Sequence, residues 1–98
     1  MSELHLLALA AKAAGLRVTG QYLGDDGVTW LEVEPRQENC GWNPRHDDGD
    51  AFRLAADLGI LEWAGAELHQ SRNKADTPRE TARLAIVHRA AAIGEALP

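Results

Sequence analysis

The residues Thr77-Pro78-Arg79-Glu80 form the local pattern that most restricts what this chain can fold into. Thr77 is a favourable N-cap, Pro78 suits the first helical position, and Glu80 at the third position completes a capping box. We therefore predict a helix from this point to about Glu95. It carries two adjacent apolar stripes, formed by Ile86, Ala90, Ile93 and Leu97 and by Leu84, Val87 and Ala91.

Together these stripes are wider than contact with a small sheet requires. Either the helix is deeply buried, or its extra face contacts another chain. The chain has 98 residues, room for one domain only. Because so small a core gains most from association, we expect a homodimer or a larger homo-oligomer.

Comparable signals predict the elements of the N-terminal half. Ser2 caps a helix from Glu3 to Ala14, and Gly15 ends it. Asp26-Gly27 predicts a hairpin turn between strands over residues 16–23 and 28–33. In the second strand Thr29, Leu31 and Val33 share the face that better suits a core, so Trp30 on the other face is expected to be half covered.

A second, shorter helix follows the middle loop. Asp48 or Asp50 is predicted to cap it, and Gly59 to end it. Its buried stripe comprises Ala51, Leu54, Ala55 and Leu58. Residues 60–70 fit either short strands or a helix, and strands are preferred. The predicted fold is α+β: a small antiparallel sheet, made of the hairpin plus one or two short strands, packed with three helices in a single compact domain over residues 1–98.

Composition excludes several classes of protein. With 15 acidic and 10 basic residues the net charge is −5, which makes direct nucleic-acid binding a poor hypothesis. No apolar run reaches membrane-spanning length, and Glu3 stands where a signal peptide needs a basic residue. The single cysteine, Cys40, excludes an internal disulfide framework and a four-cysteine zinc site. We therefore expect a cytoplasmic protein with no membrane contact.

Charge is also distributed unevenly along the chain. Eight acids stand against two bases between Gly24 and Asp50, whereas five bases stand against three acids from Ser71 onward. Such asymmetry could steer a basic partner to the acidic middle, or bring two copies together head to tail. The preferred explanation is a solvated surface that keeps the chain soluble.

Residues 40–50 are the one stretch without an easy packing explanation. Loops that hold polar and aromatic groups on a scaffold are where binding usually occurs. The candidate ligand- or partner-binding residues are Trp42, Asn43, Arg45, His46, Asp47, Asp48 and Asp50. We expect them to face outward, with Trp42 as an anchor and the three aspartates as an electrostatic guide.

Two chemical hypotheses for this loop are disfavoured. His46 and the aspartates could bind a divalent ion, but the acids are adjacent and lack the distant glutamate of a calcium hand. Cys40 and His46 with an acid could imitate a nucleophilic set, but no nucleophile elbow or phosphate-cradling glycine motif accompanies them. We therefore predict no catalytic residues, no metal, no cofactor and no enzymatic activity.

Two binding hypotheses remain. In a small-molecule pocket a tryptophan would stack a base, and Arg45 or arginines of the last helix would bind phosphates. In a protein-binding surface Trp30, Trp42 and Trp63 would form an aromatic cluster rimmed by acids.

The run Trp42-Asn43-Pro44-x-x-Asp47-Asp48-Gly49-Asp50-Ala51, continued by Leu58-Gly59-Ile60, resembles a family of small proteins of uncharacterised function encoded by tailed phages and prophages. The run His88-Arg89-Ala90-Ala91-Ala92 also resembles the alanine-rich C-terminal helix of that family. The resemblance covers about half the chain. It implies the setting of a phage protein, but it assigns no catalytic residues.

That setting favours one function over the other. We expect a non-catalytic phage accessory protein that binds and blocks a host factor, such as a component of antiviral defence, in the cytoplasm of an infected bacterium. The alternative is a sponge that sequesters a nucleotide-like signal in a pocket at an oligomer boundary.

Overall fold

The computed structural model describes residues 2–34, 41–61 and 77–98. In chain order the described elements are α1 (Glu3–Ala13), β1 (Arg17–Leu23), β2 (Thr29–Glu34), α2 (Asp48–Leu58) and α3 (Pro78–Ala96). This is an α+β fold with three helices and a two-stranded antiparallel sheet among the described residues, so the predicted fold class is confirmed. The strands predicted within residues 60–70 fall almost wholly outside the described residues, as do Cys40 and Trp63.

The predicted helix ends are confirmed at the first and last helices. The Ser2 side chain accepts a hydrogen bond from the backbone N–H of His5, and Gly15 has a φ of 75°. At the start of α3 the capping box is complete, since Thr77 and Glu80 each bond the other's backbone N–H. Backbone N–H groups at the start of a helix have no partner within the helix. These hydrogen bonds satisfy some of them and so stabilise the N-terminal ends of both helices.

The hairpin follows the predicted turn. Gly27 has a φ of 80°, and β1 pairs with β2 from Leu23 opposite Thr29 to Arg17 opposite Glu34, with a bulge between Val18 and Gly20. Leu31 and Val33 are buried and Trp30 is half-buried, which confirms the assignment of the two faces of β2. The sheet therefore contributes one strand to the core, while β1 is exposed along nearly its whole length.

The core lies where α3 packs against both other helices, and two residues of β2, Leu31 and Val33, belong to the same buried cluster. Its buried apolar residues are Leu7, Ala10, Ala11, Leu31, Val33, Trp42, Ala51, Leu54, Ala55, Ile60, Ile86, Val87 and Ala90. The centres of both stripes of α3 are thus buried within the chain, whereas Leu84 and Ile93 are half-buried and Leu97 is 42% exposed. The homo-oligomer stays a prediction. No helix within the described residues is long and apolar enough to cross a membrane.

Candidate functional site

Trp42 is bound into the sheet. Its backbone N–H donates to the carbonyl of Leu31 at 2.8 Å, and its carbonyl accepts from the N–H of Leu31 at 3.1 Å. Residues directly opposite in an antiparallel pair share a face, and Leu31 faces the core. The indole therefore points inward, and Trp42 is only 4% exposed. The prediction that Trp42 faces outward as an anchor is wrong, because this bridge places its ring in the core.

Asn43 is buried as well, and both ends of its amide are hydrogen-bonded. Nδ2 donates to the carbonyl of Thr29 at 3.0 Å, and Oδ1 accepts from the backbone N–H groups of Arg45 and His46 at 3.0 and 3.3 Å. An amide that can donate and accept at once ties β2 to the turn that follows it. Asn43 was also expected to face outward, and the structure corrects this: it shapes the turn that carries Arg45 and His46.

Asp50 is the third predicted site residue that lies inside the molecule. It is 1% exposed, accepts from the Asn43 backbone N–H at 2.9 Å, and pairs with the Arg53 guanidinium at 2.7 Å. A buried carboxylate is tolerated when it is paired and hydrogen-bonded in this way. Asp50 therefore fixes the loop to the first turn of α2 and is not part of an exposed acidic cluster.

The N-cap of α2 is Asp47, not Asp48 or Asp50 as predicted. The Asp47 side chain accepts from the backbone N–H of Asp50 at 2.8 Å. Three aspartates within four positions carry the same local capping signal, and the tertiary contacts of Asp50 decide between them. The predicted C-terminal end of this helix is confirmed, since Gly59 is left-handed with a φ of 70°.

Arg45, His46 and Asp48 reach the surface, and they meet residues from both ends of the chain. Nε2 of His46 lies 2.9 Å from Oε1 of Glu3, and Nε of Arg45 lies 3.7 Å from the same oxygen. These contacts join the loop to the first turn of α1. Because the side chains are more than a third exposed, each pair contributes little to stability on its own.

Arg83 of α3 holds the other side of the loop. Its Nε donates to the carbonyl of Arg45 at 2.8 Å, and its guanidinium also bonds the Asp48 carboxylate, which Arg79 contacts at 3.2 Å. The hydrogen bond from Arg83 lowers the pKa of Asp48 below its ordinary value of 3.8; the charges of Arg83 and Arg79 add to this, and desolvation opposes it. Asp48 therefore stays ionised at mild acidity.

A cleft of about 210 Å³ lies between the loop and α3, lined by Arg45, His46, Glu80, Arg83 and Leu84. We call it the charged cleft. Its volume is below the roughly 300 Å³ at which pockets for drug-sized ligands begin. A second recess of about 110 Å³ near Trp42 is smaller still. The charged cleft suits a side chain or a single anionic group better than a whole nucleotide.

The loop contacts Glu3, which the sequence did not place at a site, and Arg83, which the sequence offered only as one of the arginines of the last helix. Glu3 and Arg83 lie 43 and 35 positions from the loop residues they contact, His46 and Asp48 respectively. The contrast between an acidic middle and a basic tail was the available signal. In the structure these opposite charges contact each other within one chain, since Asp48 of the middle bonds Arg79 and Arg83 of the tail.

The other two hypotheses for the loop were a metal site and a nucleophilic set. Over residues 2–34, 41–61 and 77–98, no three His, Cys, Asp or Glu side chains lie close enough together to hold a metal ion. Cys40 lies outside the described residues, so its pairing with His46 is not tested. No protein-family model, curated protein or solved structure matches the chain.

Proposed function

We propose that the protein is a non-catalytic accessory protein of the phage type, which binds and blocks a host factor such as a component of antiviral defence. The charged cleft, in place of the buried Trp42, is the binding surface. The observation that carries the proposal is that the loop before α2 has a buried layer and an exposed layer. Trp42, Asn43 and Asp50 are buried and hydrogen-bonded inside it, while Arg45 and His46 project from it into the cleft.

Such a loop is preorganised. Asn43 fixes the backbone at Arg45 and His46, and Arg83 fixes the carbonyl of Arg45 from the other side. A binding surface held in one conformation loses less conformational entropy when a partner docks. A structural loop alone would need its buried layer, but it has no need of a cleft with cations in its walls.

The charges of the cleft indicate what the partner presents. Asp48 is occupied by two arginines and Arg83 by Asp48 and a carbonyl. Among the described residues, the acid that Arg45 and His46 both contact is Glu3, which is exposed. A carboxylate of the partner can replace Glu3 at Arg45 and His46 without leaving a buried charge. We therefore expect the partner to insert an acidic side chain here.

The test compares two matched double variants. Arg45→Ala/His46→Ala removes the two side chains that the loop contributes to the cleft, and His88→Ala/Arg89→Ala removes the same pair of side chains from an exposed part of α3. Each tagged protein is incubated with a host-cell lysate, and captured proteins are quantified by mass spectrometry. We expect a partner that the wild type and the α3 variant recover and the cleft variant loses. Equal recovery by all three proteins would refute the cleft as the binding surface.

Sequestration of a nucleotide-like signal is the second candidate, and one observation favours it: Arg45, His46 and Arg83 line the same cleft. Its volume admits only the phosphate end of a nucleotide, and Trp42 is buried and cannot stack a base. The candidate predicts thermal stabilisation by nucleotides, equivalent to about 2.7 kcal/mol at a hundredfold excess over the Kd. If no member of a nucleotide panel raises the Tm, this candidate is excluded.

A further inference from the structure

Glu3 holds its carboxylate against the two loop residues that line the charged cleft. Its Oε1 lies 2.9 Å from Nε2 of His46 and 3.7 Å from Nε of Arg45, so one oxygen contacts both side chains. Glu3 does not line the cleft itself, and it reaches the loop from α1, 43 positions before His46 in the chain. The loop therefore already contacts an acidic side chain of the kind that a partner is expected to present.

The contact of Glu3 with the loop can be broken at low cost. The Glu3 side chain is 45% exposed and those of Arg45 and His46 are 38% exposed, so water solvates all three when they separate. Glu3 also lies in the first turn of α1, where the helix dipole favours an acid whether or not it contacts the loop. The N-cap of this helix is Ser2, which accepts from the N–H of His5. A rotation of the Glu3 side chain therefore frees the loop without unwinding α1.

Glu3 and a carboxylate of a partner compete for the same groups. An ionised carboxylate only accepts hydrogen bonds, so Nε2 of His46 carries the hydrogen that Glu3 accepts. A second carboxylate that approaches this N–H or the Arg45 guanidinium comes within a few ångströms of the first, and the two like charges repel each other. This separation is shorter than the Debye length of about 8 Å at physiological ionic strength, so salt does not remove the repulsion.

We infer that Glu3 is an internal competitor, which occupies Arg45 and His46 in the free protein and lowers their affinity for the carboxylate of the partner. The inference rests on the proposed function, because it concerns the same two residues and the same class of ligand. Binding of the partner displaces the Glu3 side chain. A small molecule with one carboxylate is then held weakly, whereas a protein that adds contacts along the cleft displaces Glu3 fully, so the competition makes binding selective.

The probe for this competition is glutamate with its amino group acetylated and its main-chain carboxyl amidated, so that the side chain carries its one carboxylate. It is added to the full chain in place of sodium chloride at constant ionic strength. Binding is followed by NMR through the backbone amides of residues 45–48. Glutamine blocked in the same way is the uncharged control. For one exposed ionic contact we expect a Kd of about 10–100 mM in the wild type.

Variants of Glu3 are compared with a matched change elsewhere. Glu3→Gln removes the competing charge at constant side-chain length and should tighten binding of the probe about threefold to fivefold. Glu3→Ala also removes the acceptor and should tighten binding at least as much. Glu95→Gln makes the same charge change at an exposed position near the end of α3 and should leave the Kd unchanged. Arg45→Ala/His46→Ala should abolish binding with or without Glu3→Gln. The Tm of each variant shows that it is folded.

The chemical shift of the Glu3 carboxyl carbon reports its displacement. In the wild type it should change as the probe saturates the loop, while that of Glu95 stays constant. Equal Kd values for the wild type and both Glu3 variants would overturn the inference but leave the cleft as an anion-binding surface. Binding that leaves the Glu3 carboxyl unaffected would also overturn it, because both carboxylates would then fit side by side. If none of the proteins binds the probe, the acidic partner of the proposed function is wrong, and this inference fails with it.

Discussion

A close approach of α1 and α3 gives the sharpest prediction about stability. At Gly94 of α3, an added β-carbon would lie 1.9 Å from the carbonyl oxygen of Leu9 and 2.8 Å from its carbonyl carbon. A carbon atom and a carbonyl oxygen normally meet at about 3.3 Å, so Gly94→Ala requires α1 and α3 to separate by about 1.4 Å. The obstacle is helix backbone, which cannot move aside as a flexible side chain can.

The magnitude follows from two opposed effects. Replacing glycine by alanine inside a helix normally gains about 1 kcal/mol from helix propensity. Separation of α1 from α3 loosens the contacts of Leu7, Ala10 and Ala11 with Val87 and Ala90, and overpacking of this kind costs about 1–3 kcal/mol, at the upper end when backbone must shift. We expect a net loss of about 2 kcal/mol, which lowers the Tm of a domain this size by about 10 °C.

Urea and thermal unfolding of three proteins test the reasoning. Ala92→Gly makes the reverse exchange two residues away, at an exposed position, and should cost about 1 kcal/mol from propensity alone. If packing controls position 94, alanine is unfavourable at 94 and favourable at 92. A Gly94→Ala protein with a Tm equal to or above the wild-type value would show that the helices are not in contact as described.

Three further predictions concern the loop. Trp42→Ala should lower the free energy of unfolding by about 3–5 kcal/mol, since it empties a core position. Asn43→Ala should cost about 3 kcal/mol, because the carbonyl of Thr29 and the N–H of Arg45 lose their buried partner. Both are measured by urea unfolding at neutral pH. Asp48 has its pKa lowered in the folded state, so its contribution is present above pH 3.8 and is lost as the pH falls through the lower, folded pKa. Asp48→Asn should therefore flatten the acid side of the stability curve, measured by urea unfolding from about pH 5 to pH 2.

The matched control for the first two is Phe52→Ser, which changes a large apolar residue that is 61% exposed and should leave stability nearly unchanged. A Trp42→Ala or Asn43→Ala protein as stable as this control contradicts the burial of the loop. For Asp48, an unaltered acid slope in the asparagine variant contradicts its pairing with Arg79 and Arg83.

Local patterns predicted most of the elements, because their causes are local. The capping box at Thr77, the left-handed glycines at positions 15, 27 and 59, and the alternation along β2 each act within a few residues. The side-chain direction of Trp42 has no such cause. It is decided by pairing with Leu31, eleven positions earlier, and nothing near Trp42 in the sequence distinguishes a tryptophan in a sheet from one on a surface.

The same distinction applies to the aspartates. Asp47, Asp48 and Asp50 are equivalent as local signals, yet one caps α2, one pairs with α3 and one is buried beneath Asn43. Only their partners separate these roles, and those partners include Arg83 from the far end of the chain. The sequence therefore predicted that the three aspartates form one acidic surface, whereas in the structure each of them makes a different contact.

The resulting division of the loop changes how binding experiments on it must be read. A Trp42→Ala variant that loses a partner would have lost its core as well, so the loss would say nothing about an anchor. Arg45 and His46 lie outside the buried layer, and their exposed contacts with Glu3 contribute little to folding. Variants at these two positions can therefore change recognition while the free energy of unfolding stays within about 1 kcal/mol of the wild-type value. Binding that depends on them, in proteins of unchanged stability, is the outcome that separates a surface built for a partner from a loop that merely closes its own core.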